Sequence, residues 1–182
     1  LGWSVANIGD VNGDGVNDIA VGSTGDDNGG SNRGAVHIMF MNTDGSVDST
    51  VEINDSTTNG PTLTNSDNFG FSVTNIGDLN GDGVNDIAVG ATSDDNGGTN
   101  RGALHIMFMN TDGSVDSTVE INSSTTNGPT LTNVDYFGKS IANIGDLNND
   151  GVNDIAVGAW GDDDGGTNRG AVHIMFMNSV GY

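Results

Sequence analysis

The sequence predicts an all-β fold made of tandem four-stranded antiparallel units, the third of them incomplete. Three observations lead there. The 182-residue chain repeats itself at an interval of 68 residues. Each repeat carries four short extended segments separated by clusters of Gly, Asn and Asp, the residues that favour turns. No stretch offers a helical apolar stripe with capping residues.

Register makes the repeat plain. Gly2, Gly70 and Gly138 lie 68 apart, as do Asp10, Asp78 and Asp146, and His37, His105 and His173. Residues 2–69 and 70–137 differ at 10 of 68 positions and therefore match at 58. The third copy runs from Gly138 to Tyr182, only 45 residues. The expected units are 1–69, 70–137 and a truncated 138–182. Self-similarity of this kind marks architectures in which neighbouring copies stack.

Within each unit the first segment, Ser4-Val5-Ala6-Asn7-Ile8, suits a tightly packed strand. The second, Asp18-Ile19-Ala20-Val21, is a short apolar run between turn residues, as in a buried strand. The third spans Gly34 to Met41, with Val36, Ile38 and Phe40 on one face and His37, Met39 and Met41 on the other. Both faces are largely apolar, so the sheet is predicted to lie between neighbours. The fourth, Ser49-Thr50-Val51-Glu52-Ile53-Asn54, alternates polar and apolar residues like an edge strand. Such a unit suits a propeller blade. One sheet cannot bury two apolar faces alone, so copies must stack, and the flanks of the first and last blades are expected to be open.

Composition narrows the function. There are 25 acidic and 4 basic residues, for a formal net charge of −21. A surface this acidic repels phosphate backbones, which excludes nucleic-acid binding. No apolar run approaches the roughly 18 residues of a membrane span. The chain has no Cys, hence no disulfide, thiolate metal site or Cys nucleophile. It does not begin with Met and shows no targeting segment, so it reads as a mature or excised piece.

The loop after the first strand, Asp10-Val11-Asn12-Gly13-Asp14-Gly15-Val16-Asn17-Asp18, places oxygen side chains at positions 1, 3, 5 and 9. Alternate positions in a tight loop converge, and Gly15 permits the sharp turn. Ca²⁺ takes about 6–8 oxygen ligands, whereas Mg²⁺ demands a tighter octahedron and keeps more water. The predicted ligands are Asp10, Asn12, Asp14, the Val16 carbonyl and Asp18, with one Ca²⁺ per repeat. The same set recurs as Asp78, Asn80, Asp82, Val84 and Asp86, and as Asp146, Asn148, Asp150, Val152 and Asp154. Position 12, a bidentate Glu in an EF-hand, is Val21, Val89 or Val157 here, and the flanks are extended. An EF-hand is rejected. The competing reading, an Asx-rich turn that binds nothing, weakens with each in-register copy.

Phe69-Gly70-Phe71-Ser72-Val73, then Gly77-Asp78-Leu79-Asn80-Gly81-Asp82-Gly83, then Asp86-Ile87-Ala88-Val89-Gly90-Ala91, resembles an FG-GAP repeat. This is the calcium-binding blade repeat of integrin α-subunit β-propellers and their bacterial and algal relatives. Phe137-Gly138 and Gly158-Ala159 repeat the pattern, while Leu1-Gly2 and Gly22-Ser23 are weaker forms of it. Where that family has proline after Gly-Ala, this chain has Thr24, Thr92 and Trp160. The resemblance implies a propeller with extracellular adhesive or structural roles and no shared catalytic activity.

Other motifs are weaker. Asp26-Asp27-Asn28, Asp94-Asp95-Asn96 and Asp162-Asp163-Asp164 form a second acidic turn, read as a solvated loop ahead of a further cation site. Arg33, Arg101 and Arg169 are expected to hold loop carboxylates or carbonyls of a neighbouring blade. The three His stand singly in strands, fit no compact zinc pattern and are read as packing residues. Asn54-Asp55-Ser56 and Asn122-Ser123-Ser124 are glycosylation sequons expected on an exposed edge strand.

Near-identical units present one surface many times, which suits building an array better than gripping a single partner. The function expected is an extracellular or cell-surface, calcium-stabilised structural repeat whose partners are copies of itself, in a filament rather than a ring. The alternative is an adhesin or lectin-like module on a closed propeller, binding glycans or cell-surface proteins. An enzyme is not expected, because identical copies do not bring unlike groups to one pocket.

Overall fold

A computed structural model describes residues 1–182 and contains strands but no helix. The first sheet comprises β1 (Val5–Gly9), β2 (Asp18–Ser23), β3 (Ala35–Met41) and β4 (Val47–Ile53). The second comprises β5 (Phe69–Gly77), β6 (Asp86–Ala91), β7 (Ala103–Met109) and β8 (Val115–Ile121). The third holds β9 (Phe137–Gly145), β10 (Asp154–Ala159) and β11 (Ala171–Met175). In each sheet strands pair antiparallel in chain order, so three blades of 4, 4 and 3 strands result. No helix of the protein is long and apolar enough to cross a membrane.

Strand limits differ slightly from those predicted, for local reasons. β4 stops at Ile53 because Asn54 turns the chain: its Oδ1 accepts the Ser56 N–H at 2.8 Å, and its N–H donates to Thr57 Oγ1 at 2.9 Å. Phe69 already pairs with Ala91 in β5, and Phe137 with Ala159 in β9. The second and third sheets therefore begin at Phe69 and Phe137, one residue before the boundaries read from the repeat.

The core lies between the blades. One apolar cluster joins Val36, Ile38 and Phe40 of the first blade to Phe69, Val73, Ile87 and Val89 of the second. Another joins Leu104, Ile106 and Phe108 to Phe137, Ile155 and Val157 of the third. Every residue of β7 is buried, whereas β3 alternates buried and half-buried positions. Sequence barely distinguishes those two strands; a neighbour on both sides does. Burying one such aliphatic or Phe side chain contributes about 1.5–3 kcal/mol, so these two seams dominate stability.

Close backbone approach makes the seams possible. Gly70 and Gly138 adopt left-handed φ values of +84° and +86°, which only glycine takes without strain. The Ser4 hydroxyl donates to the Gly70 carbonyl at 2.9 Å, and Ser72 to that of Gly138 at 2.7 Å. A β-carbon on Gly22 would lie 1.9 Å from the Gly70 carbonyl oxygen, and one on Gly90 2.1 Å from that of Gly138. Phe69 and Phe137, the residues before those glycines, are fully buried. The side-chain amides of Asn85 and Asn153 reach the carbonyls of Ile8 and Ile76 in the preceding blade, both at 3.0 Å.

Arg33 and Arg101 hold the connectors that follow their own blades rather than a neighbour's loop. Arg33 pairs with Asp55 and donates through Nε to Asn65 Oδ1 at 3.2 Å. Arg101 donates to Asn133 Oδ1 at 3.1 Å and to Ser123 Oγ at 3.2 Å, since Ser123 stands where the first copy has Asp55.

Gly90→Ala is expected to destabilise the protein by about 2–3 kcal/mol, because its methyl meets backbone that cannot withdraw. Gly25→Ala, whose methyl meets nothing nearer than Asn32 Oδ1 at 3.7 Å, is expected to stay within about 0.5 kcal/mol of the parent. Urea unfolding of both variants checks this; equal midpoints would contradict the close-approach account.

Candidate metal centre

Each acidic loop joins the first two strands of a blade, and backbone donors arrange it. Asp10 Oδ1 accepts the N–H of Gly13 at 2.8 Å and of Asp14 at 3.0 Å, while Oδ2 accepts that of Gly15 at 2.8 Å. Asp14 Oδ1 accepts from Val16 at 2.8 Å, and the Asn12 amide donates to Asp14 Oδ2 at 2.9 Å. The turn needs left-handed backbone at Gly13 (φ +77°) and Gly15 (φ +91°). In the third copy Asn149 replaces the first of these glycines at φ +61°, a conformation Asn tolerates better than most residues.

Asp18 does more than close the loop. It is fully buried, accepts the Val11 N–H at 2.9 Å with Oδ2 and takes the Met41 N–H at 3.0 Å with Oδ1. Asp86 binds Leu79 and Met109 at 2.8 and 3.0 Å, and Asp154 binds Leu147 and Met177, both at 2.9 Å. The last acidic residue of each loop thus ties the loop to the far end of the third strand. Val84 and Val152 pack their side chains against the inter-blade clusters, anchoring position 7 from below.

Electrostatics favour a cation here. Burial pushes the Asp86 carboxyl up to about 6; the Leu79 and Met109 N–H groups oppose this, and the charges of Asp82 and Asp78 add to it. A divalent ion among the three would remove that repulsion. The donor set consists of oxygen atoms alone, which suits a hard cation. Asp10 Oδ1 already accepts two N–H groups, but Asp10 Oδ2 and both Asp18 oxygens accept one each and so retain a lone pair for a metal. Asp10 and Asp14 are exposed while Asp18 is buried, and these three carboxylates do not bring ligand atoms within 4.8 Å of one another as a second group does. Asp26, His37 and Glu52 bring one ligand atom each to within 4.8 Å of one another.

That second group was not legible as a unit. The acidic turn expected to be solvated is only partly so: Asp26 is half-buried, and Asp94 and Asp162 are buried. Asp27 Oδ1 accepts the Asn32 N–H at 2.7 Å, an interaction repeated by Asp95 and Asp163. His105 and His173 pack edge-on against Phe69 and Phe137, ring centroids 5.4 Å apart in both cases. Burial pushes the His105 imidazole down to about 4, with Glu120 opposing. The one available signal was cross-strand register, which sets His37 opposite Glu52.

The sequons do not sit on an exposed strand. Asn54 and Asn122 are half-buried in the turn beyond it, where each Nδ2 donates to a glutamate two residues back, Glu52 or Glu120, at 2.7 and 2.6 Å. A glycan on either nitrogen would compete with that contact.

Comparison with known proteins agrees with this architecture. The FG-GAP repeat profile matches residues 1–39, 69–107 and 137–175. The chain is 36% identical over 154 residues to human integrin alpha-11, covering 84% of this chain and 12% of that protein. It is 37% identical over 164 residues to human integrin alpha-6, covering 89% of this chain and 13% of that protein. Integrin alpha pat-2 of Caenorhabditis elegans matches at 37% over 94 residues, covering 50% of this chain and 7% of that protein. The chain therefore spans only a small fraction of the length of these relatives. Profile, blade topology and the in-register acidic loops agree, and the chain belongs to the FG-GAP repeat family.

Proposed function

We propose that this chain is a calcium-stabilised extracellular building unit that assembles with copies of itself by continuing the stack of blades. One observation carries the reading. Val36, Ile38 and Phe40 are buried against the second blade, and Leu104, Ile106 and Phe108 against the third. Their counterparts Val172, Ile174 and Phe176 are 69%, 45% and 52% exposed. An apolar face already covered twice by a blade is suited to a third. Val5 and the half-buried His37, Met39 and Met41 form the opposite open face. These two faces differ, so contacts between copies are head-to-tail, and such contacts run on as a filament unless their rotation closes a ring.

The units 1–69, 70–137 and 138–182 are the repeating elements of this assembly, each with one Ca²⁺ held by its acidic loop. Asp10, Asn12, Asp14, Val16 and Asp18, with their counterparts in the other loops, supply the oxygens. The ion draws together and neutralises the three carboxylates that each loop carries in sequence. A non-enzymatic role accords with repetition, since identical units offer no single pocket of unlike groups. The likeness to integrin alpha subunits favours a second reading, adhesion through a closed propeller displaying its loops to a partner.

Electron microscopy of the protein with calcium separates the two: open filaments support continued stacking, and closed rings of fixed blade number support the adhesive module. Ile174→Ser with Phe176→Ser is expected to abolish association in sedimentation velocity while leaving the monomer folded. Unchanged association would rule out this face.

Because calcium binds only the folded loop, chelation is expected to lower the melting temperature; one hundredfold saturation corresponds to about 2.7 kcal/mol per site. Melting indifferent to chelator would remove calcium from the account. Asp14→Ala, Asp82→Ala and Asp150→Ala combined should abolish calcium uptake by calorimetry yet scarcely change stability in chelator. Asp86→Ala should instead cost about 2–4 kcal/mol even in chelator, since it strands two buried N–H groups.

A further inference from the structure

We propose that Asp26, His37 and Glu52 form a second metal site, for a zinc-type divalent transition-metal ion, on the open face of the first blade. The three residues come from three places: the turn after β2, the middle of β3 and the facing position of β4. One ligand atom from each lies within 4.8 Å of the others, and all three side chains are half-buried. A nitrogen and two carboxylate oxygens form a donor set that Zn²⁺ accepts, with water completing the tetrahedron. Calcium, which takes oxygen ligands, gains nothing from the imidazole. The two carboxylates and the dication together are neutral.

The surrounding hydrogen bonds hold the carboxylates in the way a metal site requires. The side-chain amides of Asn28 and Asn54 both donate to Glu52 Oε1 at 2.7 Å, leaving Oε2 free. Asp26 Oδ1 accepts the Asn28 N–H at 2.9 Å, leaving Oδ2 free. One oxygen of each carboxylate is thereby fixed while the other points elsewhere, the arrangement by which outer groups orient metal ligands.

The second blade supplies an independent sign of a missing partner. Asp94, His105 and Glu120 occupy the equivalent positions, with Asn96 and Asn122 holding Glu120 Oε1 at 2.8 and 2.6 Å. His105 faces Glu120 across the strands and is only 1% exposed, and neither of its ring nitrogens has a hydrogen-bond partner. Buried polar atoms are almost always satisfied, so two orphaned nitrogens in one imidazole mark an interaction left unmade. The seam between blades covers this copy, with Phe69 against the ring. In the unassembled chain the first-blade copy has no such cover and is open to a metal ion, whereas a further copy stacked on that face would close over it.

Zn²⁺ titrated calorimetrically into the full chain carrying the dissociating pair Ile174→Ser and Phe176→Ser, with calcium saturating, is expected to bind at about one ion per chain. His37→Gln should weaken that binding more than about tenfold, as should Glu52→Gln, which retains an oxygen for the Asn amides. Co²⁺ in place of Zn²⁺ should show visible absorption bands that His37→Gln abolishes, and His173→Gln should leave them intact. Circular dichroism verifies that each variant is folded. Zn²⁺ binding unaltered in both His37→Gln and Glu52→Gln, or fully displaced by calcium, would overturn the site. Neither result bears on calcium in the acidic loops, because those loops contain no histidine.

Discussion

The architecture depends on how closely two backbones can pass. Gly22 opposite Gly70, and Gly90 opposite Gly138, bring adjacent sheets so near that a single methyl group on either partner would strike a carbonyl oxygen. That proximity lets Phe69 and Phe137 disappear into the seams and lets serine hydroxyls cap carbonyls of the next blade. Without it, each sheet would present two apolar faces to water. The Phe-Gly and Gly-Ala signatures of the family thus have a mechanical meaning here: a bulky anchor, followed by a residue with no side chain at the point of contact.

The acidic loops are coupled to this packing through their final aspartate. Asp18, Asp86 and Asp154 lie at the base of the loop and accept N–H groups from both the loop and the end of the third strand. A cation that tightened the loop would therefore act on the strand that carries Val36 or Leu104 to the seam. An ion held by the loop would be linked to blade stacking through one buried carboxylate per repeat, with no long-range pathway needed.

The three copies put nearly the same strand into three environments. β7 has a blade on either side and is buried throughout, β3 has one with Val36, Ile38 and Phe40 buried, and β11 has one on its other face, which leaves Val172 and Ile174 to solvent. Such a series separates what a residue type prefers from what its surroundings permit. It also explains why the acidic turn beginning at Asp26 resisted reading from sequence. Its first aspartate is half-exposed in one copy and buried in the next, although the residues around it hardly change.

Strand number, antiparallel order, the repeat and the acidic loops were all legible in the sequence, because each rests on local spacing: alternation for strands, Gly and Asx for turns, alternate oxygens for a cation loop. The limits of β4, the connector partners of Arg33 and Arg101 and the half-buried setting of Asn54 were not, since each depends on where a turn or connector folds back. The meeting of Asp26, His37 and Glu52 was hidden for the same reason, as 26 residues of chain and two strand reversals separate its ends. Sequence by itself determined the blade, whose hydrogen bonds join neighbours in the chain. Only tertiary structure decided which face of each blade is core, because the partner that buries it lies a whole repeat away.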